Sequence, residues 1–291
     1  MLRSMTGFGR AEKSIQEKLF QVELRSLNGK QLDLQVKIPV QFKPYEFDIR
    51  NLISEHLQRG SVECMITSKS NGSSKPPSIN TELAASIYCQ LKGLASDLEA
   101  DDSQLLASVL RIPEVVSSAS EVLSEEDWKG CKEMIIQALD MLNQHRENEG
   151  SVLEKDLVKR IDRIAELQVK VMELDPQRKK RIRENMLKLM EEHVGKESVD
   201  MNRFEQELIY YIEKIDLTEE QVRLSNHCDY FKKMLAEKEI SKGRKLSFLL
   251  QEIGREINTT GSKAYDSEIQ KIVVDMKDEL EKAKEQVLNV L

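Results

Sequence analysis

Between Ser124 and Leu174 the chain runs about fifty residues with no proline and only two glycines, Gly130 and Gly150. An uninterrupted run of that kind exceeds the ~8–20 residues of an ordinary globular helix and predicts a coiled-coil-like arm. Ser124-Glu-Glu-Asp127 supplies an N-cap signature at its start, and Gly150 is the place where it could break. Asp175-Pro176 predicts a turn, with Pro176 at the first position of a returning helix that reaches Gly195. The expected product is a long antiparallel helical hairpin.

Before the arm, residues 1–70 read as a small α/β unit. Gln21 to Ile38 alternates polar and apolar residues on both sides of Asn28-Gly29, which predicts a hairpin with a type I′ turn. A helix is expected from about Tyr45 to Gln58, burying Phe42 or Phe47, Ile49, Leu52, Ile53 and Leu57 and ending at Arg59-Gly60. Ser61 to Ser68 then points Val62, Cys64 and Ile66 inward, and Met1 to Lys13 gives a fourth strand, in the order β-β-β-α-β. Asn71 to Ser78 is rich in Gly, Ser and Pro and marks a loop or linker. Beyond it Leu83, Ile87, Leu91, Leu94 and Leu98 mark an amphipathic helix, and Leu105 to Leu110 a short one.

The last third is helical again. Phe204, Leu208, Tyr211, Ile212 and Ile215 form one stripe. Asp216-Leu-Thr-Glu219 caps the next helix, to about Glu239. Arg244 to Asn258 carries Leu246, Leu249, Leu250, Ile253 and Ile257 on one face up to a stop at Gly261, and a last helix starts near Asp266. The fold class is therefore α+β, divided as 1–70, a 71–80 linker, a helical region 81–200 with the hairpin arm, and a helical domain 201–291.

Composition narrows the class. Aromatics make up 5%, with 12 Gly and 6 Pro, which disfavours a turn-rich β-sandwich. No apolar run approaches the ~18 residues that span a bilayer. The N-terminus lacks the apolar core of a signal peptide. The four cysteines are widely spaced with no CxxC, which predicts a reducing, cytoplasmic setting rather than disulfides or zinc. Net charge is −7, yet residues 1–70 carry 11 Lys/Arg against 8 Asp/Glu while the remainder carries 33 against 43. A nucleic-acid partner is read from local patches, so the total does not exclude one. Walker, GxGxxG, HExxH and GxSxG motifs are absent from the sequence.

Two helices carry chemistry in register. Asp216, Glu220, Arg223 and His227 line one face, and Glu252, Arg255, Glu256 and Thr259 line another, opposite the Leu246/Leu250/Ile253 stripe. Oxygen-rich clusters with one imidazole suit Mg²⁺ or Mn²⁺, which in a phosphodiesterase would activate water and neutralise phosphate charge. The competing reading is a set of solvated i,i+3 and i,i+4 pairs worth about 0.3–0.5 kcal/mol each, and spacing alone favours it. Glu207 continues through Tyr211 towards the Asp216 face. Glu205, ~200° away around the helix from Glu207, is a surface or packing partner. His56, His145 and His193 read as surface imidazoles. Arg3, Arg10, Arg25, Lys30 and Arg59 lie in or beside the N-terminal strands. Arg178-Lys-Lys-Arg-Ile-Arg183 is either a phosphate contact or a solvated hairpin tip.

Taken together, Ser4-Met-Thr-Gly-Phe-Gly-Arg10, Glu23-Leu-Arg-Ser-Leu-Asn28 and Arg59-Gly60 resemble the N-terminal motifs of the YicC-like endoribonuclease family. Arg146, Glu149 and Gly150 resemble its mid-chain element. Asp216 to His227 and Gly243 to Lys263 are similar to its C-terminal signature. The resemblance implies metal-dependent endonucleolytic cleavage of RNA, with Mn²⁺ or Mg²⁺ as cofactor, by a ring-like homohexamer with an RNA-admitting channel. Carried over by position, it makes Glu207, Asp216, Glu220, His227, Glu252 and Glu256 metal or acid–base candidates. Among these, Asp216, His227, Glu252 and Glu256 are the catalytic expectation. Arg223, Arg255 and Lys263 would hold phosphate, and Asn258 and Ser262 would orient the site. Arg3, Arg10, Arg25, Lys30, Arg59 and the Arg178–Arg183 run would grip the RNA backbone. The sequence departs from the family at Ser247, commonly Asp, and at Gly254, commonly Asn; a helix-interior Gly costs ~1 kcal/mol relative to Ala. The alternatives are a non-catalytic RNA-binding adapter that delivers RNA to another nuclease, and a purely structural coiled-coil protein.

Overall fold

The computed structural model describes residues 2–291 except 16–17, 30, 58, 71–77, 99–102, 113–114, 118–122, 196–199 and 238–241. It is a mixed α+β chain, a four-stranded sheet near the N-terminus followed by a mostly helical remainder. Two compact units divide it, one of residues 8–25 and 31–142, the other of 1–7, 26–30 and 143–291.

In the first unit, β1 (Gly7–Ile15), β2 (Lys18–Leu27), β3 (Leu32–Lys37), α1 (Glu46–His56) and β4 (Gly60–Ser70) follow the expected order. Their pairing departs from it. The sheet runs β1-β2-β4-β3, so β2 and β3 are not neighbours and the Asn28-Gly29 hairpin does not form. β3 instead lies parallel to β4, with Leu34 opposite Val62 and Val36 opposite Cys64, and α1 provides the crossover that parallel strands need. Val62, Cys64 and Ile66 are almost fully buried, whereas Leu32, Leu34 and Val36 are half-buried. β4, whose inward side chains are the more deeply buried, takes the central place and β3 the edge. Gly29 has no positive φ, and the Asn28 amide donates to Leu288 O at 2.6 Å instead of closing a turn.

Ile49, Ile53 and Leu57 bury as expected, and Phe42 rather than Phe47 joins them: Phe42 is 0% exposed and Phe47 73%. A short 3-10 turn at Val40–Tyr45 delivers Phe42 edge-on to Phe20, with ring centroids 5.8 Å apart. Next come β5 (Ser78–Ile79), α2 (Thr81–Asp97), α3 (Leu105–Val109) and β6 (Val116–Ser117), with β5 and β6 antiparallel. The α2 stripe stays largely open, because Leu94 and Leu98 are exposed and Ala95 is buried in their place. The 71–80 linker lies mostly outside the described residues.

α4 (Glu125–Val194) is a single helix of 70 residues. Ser124 and Asp127 cap it reciprocally, Asp127 N donating to Ser124 Oγ at 3.1 Å and Ser124 N to Asp127 Oδ2 at 3.3 Å. Its first turns bring Cys131, Met134, Ile135, Ala138 and Leu142 into the core with Phe20, Val22 and Leu24. The turn expected at Asp175-Pro176 is absent. Proline in a helix interior loses one backbone bond and crowds the preceding turn, at ~3 kcal/mol. Contacts just beyond it hold the helix together. Asp175 pairs with Arg178 at 2.6 Å and with Lys179 at 2.9 Å, and Arg178 is itself fixed by carbonyls on other helices. The helix ends instead at Gly195, φ 88°. α5 (Met201–Lys214) is capped by Asp200, and a 2.5 Å Arg183–Glu205 ion pair ties it to α4.

The second unit buries Leu157, Ile161, Ile164 and Val171 of α4 against α6 (Thr218–Ala236), α7 (Gly243–Ala264) and α8 (Ser267–Val287). α7 passes through Gly261 rather than stopping there. Gly254 has a packing role that offsets its helix-propensity cost: a Cβ there would stand 3.0 Å from Leu280 Cδ2 on α8. The mid-chain motif turns out to be a cradle for residues 2–6. A Cβ at Gly150 would meet Leu2 O at 2.0 Å. Buried Arg146 donates to Met5 O and Ser26 Oγ, and Glu149 accepts from Thr6 Oγ1 at 2.7 Å. The same strip bonds to the last residues, Met5 N to Asn289 O at 2.8 Å and Leu291 N to Arg3 O at 3.0 Å.

Cys64, Cys131 and Cys228 are free and buried, and burial pushes each thiol up to about 12. Among the described residues no helix is long and apolar enough to cross a membrane.

Candidate functional site

The polar cluster of the second unit is organised by a cation that the sequence reading assigned to RNA. Arg178 is 1% exposed. It donates to Lys263 O and Ala264 O at the end of α7 and to Ile215 O at the end of α5, each at 2.9 Å. A guanidinium suits the bare carbonyls of helix C-termini, and here it gathers two of them beside α4. Arg178 is therefore a packing group and not a phosphate contact. Its neighbours are also engaged: Arg181 pairs with Asp266 at 2.7 Å and Arg183 with Glu205.

This convergence brings Asp216, Glu220 and Lys263 together with Lys179. Asp216 lies in the short link between α5 and α6; its Oδ1 accepts from Lys179 Nζ at 2.8 Å and its Oδ2 from Thr218 N at 3.3 Å. Lys179 Nζ also lies 2.9 Å from Asp175 Oδ2. From the other side Lys263 Nζ donates to Asp216 O at 3.1 Å and to Glu220 Oε1 at 2.7 Å. Glu220 is buried, and its Oε2 finds no donor among the described residues.

Electrostatics follow from this pairing. The Lys179 hydrogen bond holds the Asp216 carboxyl below its usual range, outweighing the opposing effect of partial burial. Burial works against the Lys179 ammonium, but hydrogen bonds to Asp216 and Asp175 prevail and raise its pKa. Side chains of Lys179, Lys263 and Asp216 keep 30%, 31% and 38% exposure. A solute can reach these three groups, while Glu220 stands behind them and steadies Lys263.

The other expected site residues lie elsewhere. His227 is half-buried on α6, about 10 Å along the helix from Glu220 at ~1.5 Å per residue. Glu207 is exposed on α5, about 13 Å along the chain from Asp216 by the same rise. Glu252 is exposed and lies 4.0 Å from Arg255. Glu256 is 4% exposed and faces inward, contrary to the outward face expected, because it stands three residues after buried Ile253 and seven after buried Leu249, on the same face of the helix. Arg223 pairs with Glu219, and Ser262 Oγ bonds back to Thr259 O. Asn258 is exposed, and Ser247 is half-buried in the second turn of α7. Among the described residues no three His, Cys, Asp or Glu side chains gather as a metal site. The six carboxylate and imidazole candidates therefore do not fit one ion within one chain. Sequence reasoning had Lys179 only as one of the basic run 178–183 and missed its pairing with Asp216. Its signal was Asp175 at i−4 on the same helix, hidden by placing a turn at Pro176.

Of the N-terminal basic residues, Arg3 pairs with Glu147 at 2.5 Å, Arg10 with Glu12 at 3.0 Å and Arg25 with Glu23 at 3.3 Å, where it also covers the Phe8 ring. Arg59 is half-buried. Lys30 lies outside the described residues.

Two family models match the chain, Endoribonuclease YicC-like N-terminal region over residues 2–155 and Endoribonuclease YicC-like C-terminal over residues 171–291. Among curated relatives, a protein named probable endoribonuclease YicC from Clostridioides difficile is 32% identical over 294 residues, covering 100% of both chains. One of the same name from Haemophilus influenzae is 30% identical over 296 residues, again covering 100% of both.

Proposed function

The chain belongs to the YicC-like endoribonuclease family, and we propose that it cleaves RNA internally at the Lys179–Asp216–Lys263 cluster. One observation carries this reading. The Lys179 ammonium pairs with the half-exposed Asp216 carboxylate and the Lys263 ammonium with the Asp216 backbone carbonyl, where buried Glu220 fixes it. Two ammonium groups held beside one residue can neutralise the charge that builds on a phosphoryl group during displacement. Asp216, kept ionised by its Lys179 bond, is placed to orient the attacking oxygen by accepting its hydrogen bond, and losing that alignment costs ~10²-fold. Glu220 acts through Lys263 as a positioning residue.

The divalent ion and the homohexameric ring implied by the family resemblance belong to the same proposal, as does a cytoplasmic place of action. Among the described residues one chain does not gather three metal ligands.

The test is cleavage of a labelled, structured RNA with Mn²⁺, with Mg²⁺ and with EDTA, with light scattering for the size of the assembly. Asp216→Asn should lower kcat about 100-fold while RNA binding persists. Lys179→Met and Lys263→Met should weaken binding and flatten its salt dependence. Equal cutting by all variants would remove the assignment to this cluster. Binding without cutting under any ion condition would favour the adapter reading.

A further inference from the structure

The polar faces of α6 and α7 continue away from the cluster, and each reaches an exposed aromatic ring. We propose that the two faces form a ledge for single-stranded RNA, on which Tyr230 and Phe248 stack bases. The proposal rests on the nuclease reading above and adds a substrate-binding surface to it.

Helix geometry sets the order of groups along the ledge. Glu220 meets Lys263, and Gln221 meets Thr260. At the other end Lys242, just before α7, donates to Met234 O and Leu235 O of α6. The two helices are therefore antiparallel. From Glu220, the positions Arg223, His227 and Tyr230 follow at i+3, i+7 and i+10 on one face of α6. From Lys263, the positions Thr259, Arg255, Glu252 and Phe248 follow at i−4, i−8, i−11 and i−15 on one face of α7. Tyr230 thus lies about 15 Å along α6 from Glu220, and Phe248 about 22 Å along α7 from Lys263, at ~1.5 Å per residue. Both tracks leave the cluster, pass an arginine and arrive at an aromatic ring.

Exposure and charge show what this surface suits. Phe248 is 54% exposed and Tyr230 51%. The Arg244 guanidinium lies 5.7 Å from the Phe248 ring centroid, a cation–π contact that a base stacked on the ring would extend. The exposed charges of the two helical faces are Arg223, Arg244, Lys245 and Arg255 against Glu219 and Glu252, an excess of cations in a chain of net charge −7. Both carboxylates already face an arginine, Glu219 with Arg223 and Glu252 with Arg255. Arg244 has no carboxylate partner among the described residues. An acidic protein would use the cations but gain little from two separate rings, and a duplex would keep its base faces hidden from them. A single strand offers phosphates to the cations and open base faces to the rings.

Fluorescence anisotropy of the full chain with three labelled probes of equal length tests this without requiring turnover: single-stranded oligoadenylate, a base-free ribose-phosphate strand and a duplex. Oligoadenylate should bind tenfold or more tightly than the base-free strand. The double variant Tyr230→Leu/Phe248→Leu should lose most of that preference and raise KM for labelled RNA about tenfold, whereas Phe248→Trp should keep both near the parent. Melting curves and light scattering establish that the variants are folded and unchanged in assembly size. Equal binding of oligoadenylate and the base-free strand by the parent would overturn the proposal, as would duplex binding as tight as oligoadenylate. So would a folded double variant that keeps the preference, and a change in its assembly size would then assign the rings to contact with a second copy. Preference lost in the double variant of a protein that never cuts RNA would uphold the ledge and overturn the nuclease reading. Normal cutting with an unchanged KM in the double variant would do the reverse.

Discussion

Arg10 on the sheet and Arg178 on the long helix carry the same cation in opposite settings. Arg10 is half-exposed and shares its charge with Glu12 two residues away. Arg178 is sealed from water and spends its donors on three backbone carbonyls. An exposed pair of the first kind contributes 0–1 kcal/mol and gives way easily to a competing phosphate. A cation of the second kind cannot leave without exposing three helix-end carbonyls. Basic residues thus divide by burial into those that a phosphate could reach and those that hold helix ends together, and a run such as Arg178–Arg183 mixes both.

Breaking the buried member should have the largest effect. Arg178→Met is expected to lose about 3–5 kcal/mol, the range for removing one partner from a buried charged network, read as a lower urea midpoint. A loss below 1 kcal/mol would mean that the helix ends find other partners.

A smaller effect of opposite sign is expected next to the carbonyls that Arg178 holds. Tyr265 takes a left-handed conformation, φ 45°, with its side chain 70% exposed. Glycine adopts that region freely, whereas other residues pay ~1–2 kcal/mol. Tyr265→Gly should therefore stabilise the protein by about 1 kcal/mol in the same denaturation experiment, and destabilisation would show that the ring does packing work.

A pH series separates Lys179 from the exposed pairs. The folded-state pKa of Asp216 is depressed, chiefly by Lys179. Its stabilising contribution is therefore full above the unfolded value of ~3.9 and is lost as pH falls through the folded value. Lys179→Met should lower Tm at neutral pH, and the gap to the parent should narrow below about pH 4. A gap constant with pH would dissociate Lys179 from Asp216.

The smallest stability change belongs to the sheet arginines. Arg10→Met and Arg25→Met should each stay within about 0.5 kcal/mol of the parent. If either touches a phosphate, the slope of RNA affinity against salt should fall by about one. An unchanged slope in both would remove the sheet from the RNA path.

What could be read from the sequence was whatever local periodicity determines. The Ser124 cap, the inward set of β4, the burial of Ile49 and Ile53 and the stripe of α7 all depend on neighbours within a few residues. What could not be read depends on distant competitors. Asn28-Gly29 is a strong turn signal, but β4 outbids β2 for the edge of β3, and nothing near residue 28 reports that. Pro176 is a strong stop signal, but Asp175 and Arg178 bridge it through contacts made across the unit. In the site, Asp216, Glu220 and Lys263 were legible as a set through the family motif. Lys179 and the inward turn of Glu256 required the packing of α4 and α7 to be known.

The strip of residues 2–5 held by Asn289 to Leu291 has a consequence for biosynthesis. Residues emerge from a ribosome at ~5–20 per second, so the first strip waits roughly 15–60 s for its partners. The unit of residues 8–25 and 31–142 has all of its own residues well before then and can fold while the chain is still being made. The second unit cannot finish until Asn289 to Leu291 have left the ribosome, which makes it the later and more vulnerable of the two units.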